Sequence, residues 1–159
     1  MSIPPIYDLL EVGMKLELGS HTFEADEIVR FAKKFDPQVF HLSEEGAKDS
    51  IFGQLCASGW HTGSIWMRHN IASFASELMR LTEHKGTEPV IGPSPGLRDL
   101  KWPAPVYVGD TIAFYSEITG KRSSARRPGW GILTVHSYGV NQNNVRVIAM
   151  GGAVSIRMD

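Results

Sequence analysis

"ASGWHTGSIWMRHNIASFASELMRL", residues 57–81, is the stretch whose reading decides the fold. Trp60, Met67, Ile71, Phe74, Leu78 and Leu81 follow one another at steps of seven, four, three, four and three, a helical period that no strand would show. The first half is rich in Gly, Ala, Ser and Thr and nearly free of charge. The spacing therefore predicts a long central helix whose start is enclosed by protein.

Beyond this helix, "GTEPVIGPSPG" (residues 86–96) is a Gly/Pro-rich linker, and the pattern then turns to strand and stays there. "GLRDLKWPAP" reads as one strand. In "YVGDTIAFYSEITGKR" a Gly-Asp turn precedes Ile112, Phe114 and Ile118, which alternate with Ala113, Tyr115, Glu117 and Thr119. "GILTVHSYGV" and "VRVIAMGGAVSIRM" flank the hairpin signal "NQNN", and Gly151 and Gly152 suggest a bulge or bend.

Upstream, the first seven residues read as an irregular arm leading into a short strand at "MKLELGS". In "FEADEIVRFAKKF" Ile28, Phe31, Ala32 and Phe35 fall at i, i+3, i+4 and i+7, with acids at the start and lysines at the end, as a helix dipole prefers. Pro37 ends that helix at or just before Asp36 and leaves "DPQVFHL" as a loop, after which Ser43 caps a short helix. The order predicts an α+β fold: a single domain over residues 1–159, with a curved antiparallel sheet wrapped around the long helix.

Composition narrows the function classes. Sixteen Lys plus Arg against seventeen Asp plus Glu give a formal net charge of −1, which argues against a nucleic-acid or membrane-surface partner. No segment resembles a secretory leader or a membrane span, and the lone Cys56 excludes an internal disulfide framework and a cysteine zinc site. A soluble, cytoplasmic protein is expected.

The chemistry centres on "FDPQVFHL", residues 35–42, where Asp36 and His41 lie five apart. That spacing shares no helix face, so the two meet only if the chain turns between them. A histidine's ordinary pKa of about 6.5 suits acid–base work near neutrality, and a neighbouring carboxylate can help hold the same water. The ordinary reading, a helix-ending Asp-Pro followed by a satisfied loop histidine, stands beside this one.

Three motifs in order, "FDPQVFHL", "FGQLCASGWHT" and "PVYVGDT", resemble the MaoC-like acyl dehydratases, the hot-dog-fold family that includes (R)-specific enoyl-CoA hydratases. The family's DxNPxH is matched by Asp36 and His41, with Gln38 and Val39 at its Asn and Pro. Its FGxxIxHG is matched by Phe52, Gly53 and Gly59, with Ser58 where histidine is common.

The resemblance implies a hydro-lyase that reversibly hydrates an enoyl thioester to the (R)-3-hydroxyacyl thioester. Asp36 and His41 would be the catalytic pair, and the Gly59 N–H would bind the thioester carbonyl. Gln38, Phe40, Phe52, Ser58, Trp60 and His61 are expected to line the substrate site. The basic run "GKRSSARRPGW" reads first as a solvated hairpin or strand end, and its functional reading has Arg126 and Arg127 meet the phosphates of coenzyme A, for which arginine geometry is suited. No metal is implied, nor any cofactor beyond the coenzyme A of an acyl-CoA or acyl-carrier substrate. A homodimer or an assembly of dimers is implied as well. A hot-dog thioesterase and a noncatalytic acyl-CoA-binding subunit are the competing readings.

The remaining candidates read as ordinary. His69, His21, His84 and His136 carry no constellation, Cys56 reads as a buried thiol, and the loop from Glu83 to Pro95 is expected to shape the pocket.

Overall fold

The computed structural model describes residues 2–159. One antiparallel sheet of five strands runs in the order β1 (Lys15–Thr22), β3 (Thr111–Ser123), β4 (Trp130–Val140), β5 (Arg146–Arg157), β2 (Leu97–Lys101). β3 and β4 bury alternate residues, as period-2 patterning requires, and Ile112, Phe114, Ile118 and Leu133 are almost wholly buried. Two serines also face this core, and each satisfies the other: Ser116 and Ser137 hydroxyls lie 2.9 Å apart. Register shifts at Glu17/Gly19, Ile118/Gly120, Gly139/Val140 and Arg98/Lys101 are the bulges that let the sheet bend.

The long helix α5 spans Gly59–Thr82. It lies against β1, where the Glu77 carboxylate accepts the Glu17 N–H at 2.8 Å, satisfying a backbone donor at the bulge. The buried residues of α5 are His61, Thr62, Ile65, Trp66, Phe74 and Leu78, whereas Trp60 and Ile71 are 59% and 75% exposed. The buried face is thus rotated from the one the apolar spacing predicts. Apolar residues lie around much of this helix, and small or polar ones such as Thr62 take the side against the body of the protein.

Three local expectations change. Residues Ile6–Leu9 form a helical turn, α1, in place of an irregular arm, because burying Ile6, Tyr7 and Leu10 anchors it to the core. Within "DPQVFHL", Val39–Leu42 form a second turn, α3, which opens with the His41 N–H donating to the Gln38 carbonyl at 2.9 Å. Gly151 and Gly152 pair regularly with His136 and Val135 on one side and with Arg98 and Leu97 on the other, and the irregularity comes next along β2, between Arg98 and Lys101, where Asp99 adopts φ 52°.

Helix α2 (Ala25–Phe35) is closed at its start by a capping box between Glu24 and Glu27 and at its end by Asp36. The short helix α4 (Glu44–Lys48) follows, with the Ser43 hydroxyl accepting the Gly46 N–H at 2.9 Å. Ile28 of α2 is fully buried, while Phe35, on the same predicted stripe, is 63% exposed. Ile28→Ala is expected to cost roughly 2–5 kcal/mol in urea unfolding, and Phe35→Ala about 1 kcal/mol or less.

Candidate active site

Asp36 caps the C-terminus of α2, just beyond its last residue Phe35, because Pro37 cannot follow a helical aspartate without a clash. The chain then reverses. The Gln38 N–H donates to the Asp36 carbonyl at 2.8 Å, α3 follows, and His41 returns to within reach, its Nε2 3.5 Å from Asp36 Oδ2.

The imidazole is oriented from behind. His41 Nδ1 lies 2.6 Å from the Cys56 carbonyl oxygen, an acceptor only, so Nδ1 carries the proton and neutral Nε2 presents its lone pair toward Asp36. His41 is buried, and Phe40 packs edge-on against it at 4.6 Å and against Phe52 at 4.9 Å. The Tyr107 hydroxyl donates to the Phe52 carbonyl at 3.0 Å and steadies that wall.

Both carboxylate oxygens of Asp36 are engaged. The Gln38 amide donates to Oδ1 at 2.8 Å, and the Ser58 hydroxyl donates to Oδ2 at 2.7 Å. Burial would raise this carboxyl, but the hydrogen bonds from Ser58 and Gln38 outweigh it and hold Asp36 below the usual carboxylate range. Ser58 is itself fully buried and also caps α5, accepting the Trp60 N–H at 3.2 Å.

Asp36 and His41 border a cavity of about 430 Å³, lined also by Gln38, Gly59, Thr62 and Val147 among others. That size falls in the roughly 300–1,000 Å³ range of small-molecule sites. Gly59 opens α5, where the first N–H groups have no helical partner and the dipole is positive. A side chain at Gly59 would overlap the indole of Trp102, which also meets Trp60 edge-on at 5.1 Å.

Of the residues singled out from sequence, Asp36, Gln38, Phe40, His41, Phe52, Gly59 and Trp60 border this one cavity. Ser58 does not: it is fully buried behind Asp36 and spends its proton there. His61 does not either. It faces α2, stacked 4.7 Å from Phe31 and edge-on to Phe23 at 5.1 Å, because one step along a helix turns the side chain by about 100°.

Arg126 and Arg127 lie in the turn between β3 and β4. That turn is at the opposite end of the strands from Val147: Trp130, which follows it, pairs with Arg157, ten residues along β5 or roughly 33 Å of extended chain. The 83–95 loop lines another groove: Ile91 to Ser94 face Met67 and Ile71 there, and the segment Trp102–Val106 shapes the Asp36 cavity in its place.

Sequence reading missed the Cys56 carbonyl, Thr62 and Trp102. No side-chain pattern marks a carbonyl; for Trp102, the prolines of "KWPAP" were the available signal that the strand ends before it. The Cys56 thiol, pushed up to about 11 by burial, stays protonated at neutral pH.

Burial lowers His61 to about 4, with repulsion from His21, Arg30 and Arg68 adding to the effect and Glu27 opposing it. The folded protein keeps this ring neutral, while the unfolded chain takes up a proton near pH 6.5. Stability from this site is complete above pH 6.5 and falls as the pH drops toward 4. Urea midpoints measured across that window should decline in the native protein and decline less in His61→Phe.

Comparisons with known proteins place this geometry in a family. The chain is 33% identical to a MaoC-like dehydratase from Rhodospirillum rubrum over 94% of both chains, with a TM-score of 0.78. An (R)-hydratase from A. caviae involved in PHA biosynthesis superposes with a TM-score of 0.59 at 25% identity, covering 94% of this chain and 98% of that one. Protein YdeM of Bacillus subtilis (strain 168) is 28% identical over 144 residues, 88% of this chain and 90% of its own. With residues 10–137 matching the model of the MaoC like domain, the chain belongs to the MaoC-like dehydratase family and has its hot-dog fold.

Proposed function

We propose that the protein is a hydratase/dehydratase that adds water reversibly across the α,β double bond of an enoyl thioester, giving the (R)-3-hydroxyacyl thioester. The observation that carries this reading is two facing acceptors, His41 Nε2 and Asp36 Oδ2, 3.5 Å apart in a cavity that also holds the N-terminus of α5. One water can donate a hydrogen bond to each. The (R) hand rests on the likeness to the A. caviae (R)-hydratase.

In the forward direction His41 Nε2 takes a proton from that water, and the hydroxide oxygen bonds to the β-carbon. The double-bond pair moves to the α-carbon and on to the thioester oxygen, forming an enolate. The Gly59 N–H and the positive end of α5 stabilise the new charge; a comparable oxyanion donor contributes roughly 2.7–4 kcal/mol elsewhere. The enolate then collapses, and the α-carbon takes the proton that His41 carries. Asp36, held ionised, keeps the water in line and supports the imidazolium.

With crotonyl-CoA and longer enoyl-CoAs, the absorbance of the conjugated thioester should fall on adding enzyme. Asp36→Asn and His41→Ala should each lower kcat/KM by roughly 10²- to 10⁴-fold. Release of free thiol without loss of the double bond would show a thioesterase instead, and binding without either change a noncatalytic subunit.

A homodimer belongs to the same proposal. β2 is a five-residue edge strand, and beside it Met67, Ile71 and Leu97, at 42%, 75% and 45% exposure, line an apolar groove of about 500 Å³. An open edge next to exposed apolar side chains favours a second copy of the chain as its cover. Sedimentation should give the mass of a dimer or a multiple of it, and Leu97→Asp should shift it toward the monomer.

A further inference from the structure

Ser58 stands where the family commonly has histidine, and its surroundings give it a part of its own. We propose that Ser58 is a positioning residue: its hydroxyl fastens the Asp36 carboxylate to the N-terminus of α5, so that the carboxylate and the Gly59 N–H keep one fixed relation. The inference rests on the hydration reading and deepens it.

A hydroxyl has one proton to give and two lone pairs to accept with. Ser58 uses both functions in one orientation. Its proton goes to Asp36 Oδ2 at 2.7 Å, and its oxygen accepts the Trp60 N–H at 3.2 Å. The two ends belong to elements far apart in the chain, since Asp36 closes α2 and Trp60 lies in the first turn of α5. Being fully buried, Ser58 touches no substrate.

Without this hydroxyl only the exposed Gln38 side chain holds Asp36, at 2.8 Å through Oδ1. The carboxylate is then free to turn about its last side-chain bond, and the 3.5 Å approach of Oδ2 to His41 Nε2 loses its constraint. The preparation of the site for reaction suffers more than the cavity that receives the acyl group, because Ser58 lies outside that lining. The expected signature is a loss in kcat with little change in KM.

The test uses Ser58→Gly, since glycine starts a helix nearly as well as serine. Ser58→Ala fills more of the same space without the proton, and Ser58→Thr restores a hydroxyl. Two quantities are read in the full-length protein: the carbon-13 titration of the Asp36 carboxyl, assigned with Asp36→Asn, and kcat and KM for crotonyl-CoA hydration. Both Gly and Ala variants should raise the Asp36 midpoint and lower kcat by about 10²-fold, the order expected for a misplaced catalytic group. KM should stay within about twofold of the native value, and Ser58→Thr should recover most of both losses.

An Asp36 midpoint that stays put in the Gly and Ala variants would overturn the assignment, as would a Thr variant no better than Gly. Should the native protein hydrate no enoyl thioester, the reaction itself fails. The carboxyl titration, read without substrate, then decides the part of Ser58 alone.

Discussion

The site depends on how three consecutive residues, Leu55 to Ala57, are held. Their backbone is stitched on two sides: Val108 N–H donates to the Leu55 carbonyl at 3.3 Å, Ala57 N–H to the Val106 carbonyl at 2.8 Å, and Cys56 N–H to the Phe40 carbonyl at 3.2 Å. The carbonyl of Cys56 accepts from His41. A buried backbone group without a partner is costly, so these bonds fix the crossover and, through it, the imidazole. Ser58 and Gly59 come next in the chain and inherit that placement.

The two faces of α5 consequently serve different ends. On one, His61 lies neutral between aromatic rings and contributes packing. On the other, Gly59 and Thr62 border the cavity with Asp36 and His41. One helix therefore joins the core to the chemistry, and the join is stiff because Leu78 near its far end is wholly buried.

How much of this was legible in the sequence depends on what kind of fact is asked for. That Asp36, His41 and Gly59 border one cavity was legible through the three ordered motifs, of which Pro37, the five-residue spacing and a glycine at a helix start are the physical part. The strand alternation in β3 is legible for the same reason. The face of α5 was not: Trp60, Met67 and Ile71 keep a helical period, yet periodicity reports which residues are apolar and not which side the body of the protein covers. His61 was misplaced by one such rotation, while Arg126 and Arg127 lie in the exposed hairpin turn that their sequence suggested, a strand's length from the cavity, a distance that exists only once the sheet is assembled. The Cys56 carbonyl is common to every residue type and leaves no mark at all.

The paired hydroxyls of Ser116 and Ser137 have a consequence of another kind. Hydrophobic residues around them would tolerate several alignments of β3 on β4, since one aliphatic contact resembles the next. The serines do not. Sliding one strand by two residues keeps every side chain on its own face but separates the hydroxyls, leaving each buried without a partner at roughly 1–3 kcal/mol apiece. Two small polar side chains thus act as an index mark, giving the sheet one alignment among those its oily face would accept.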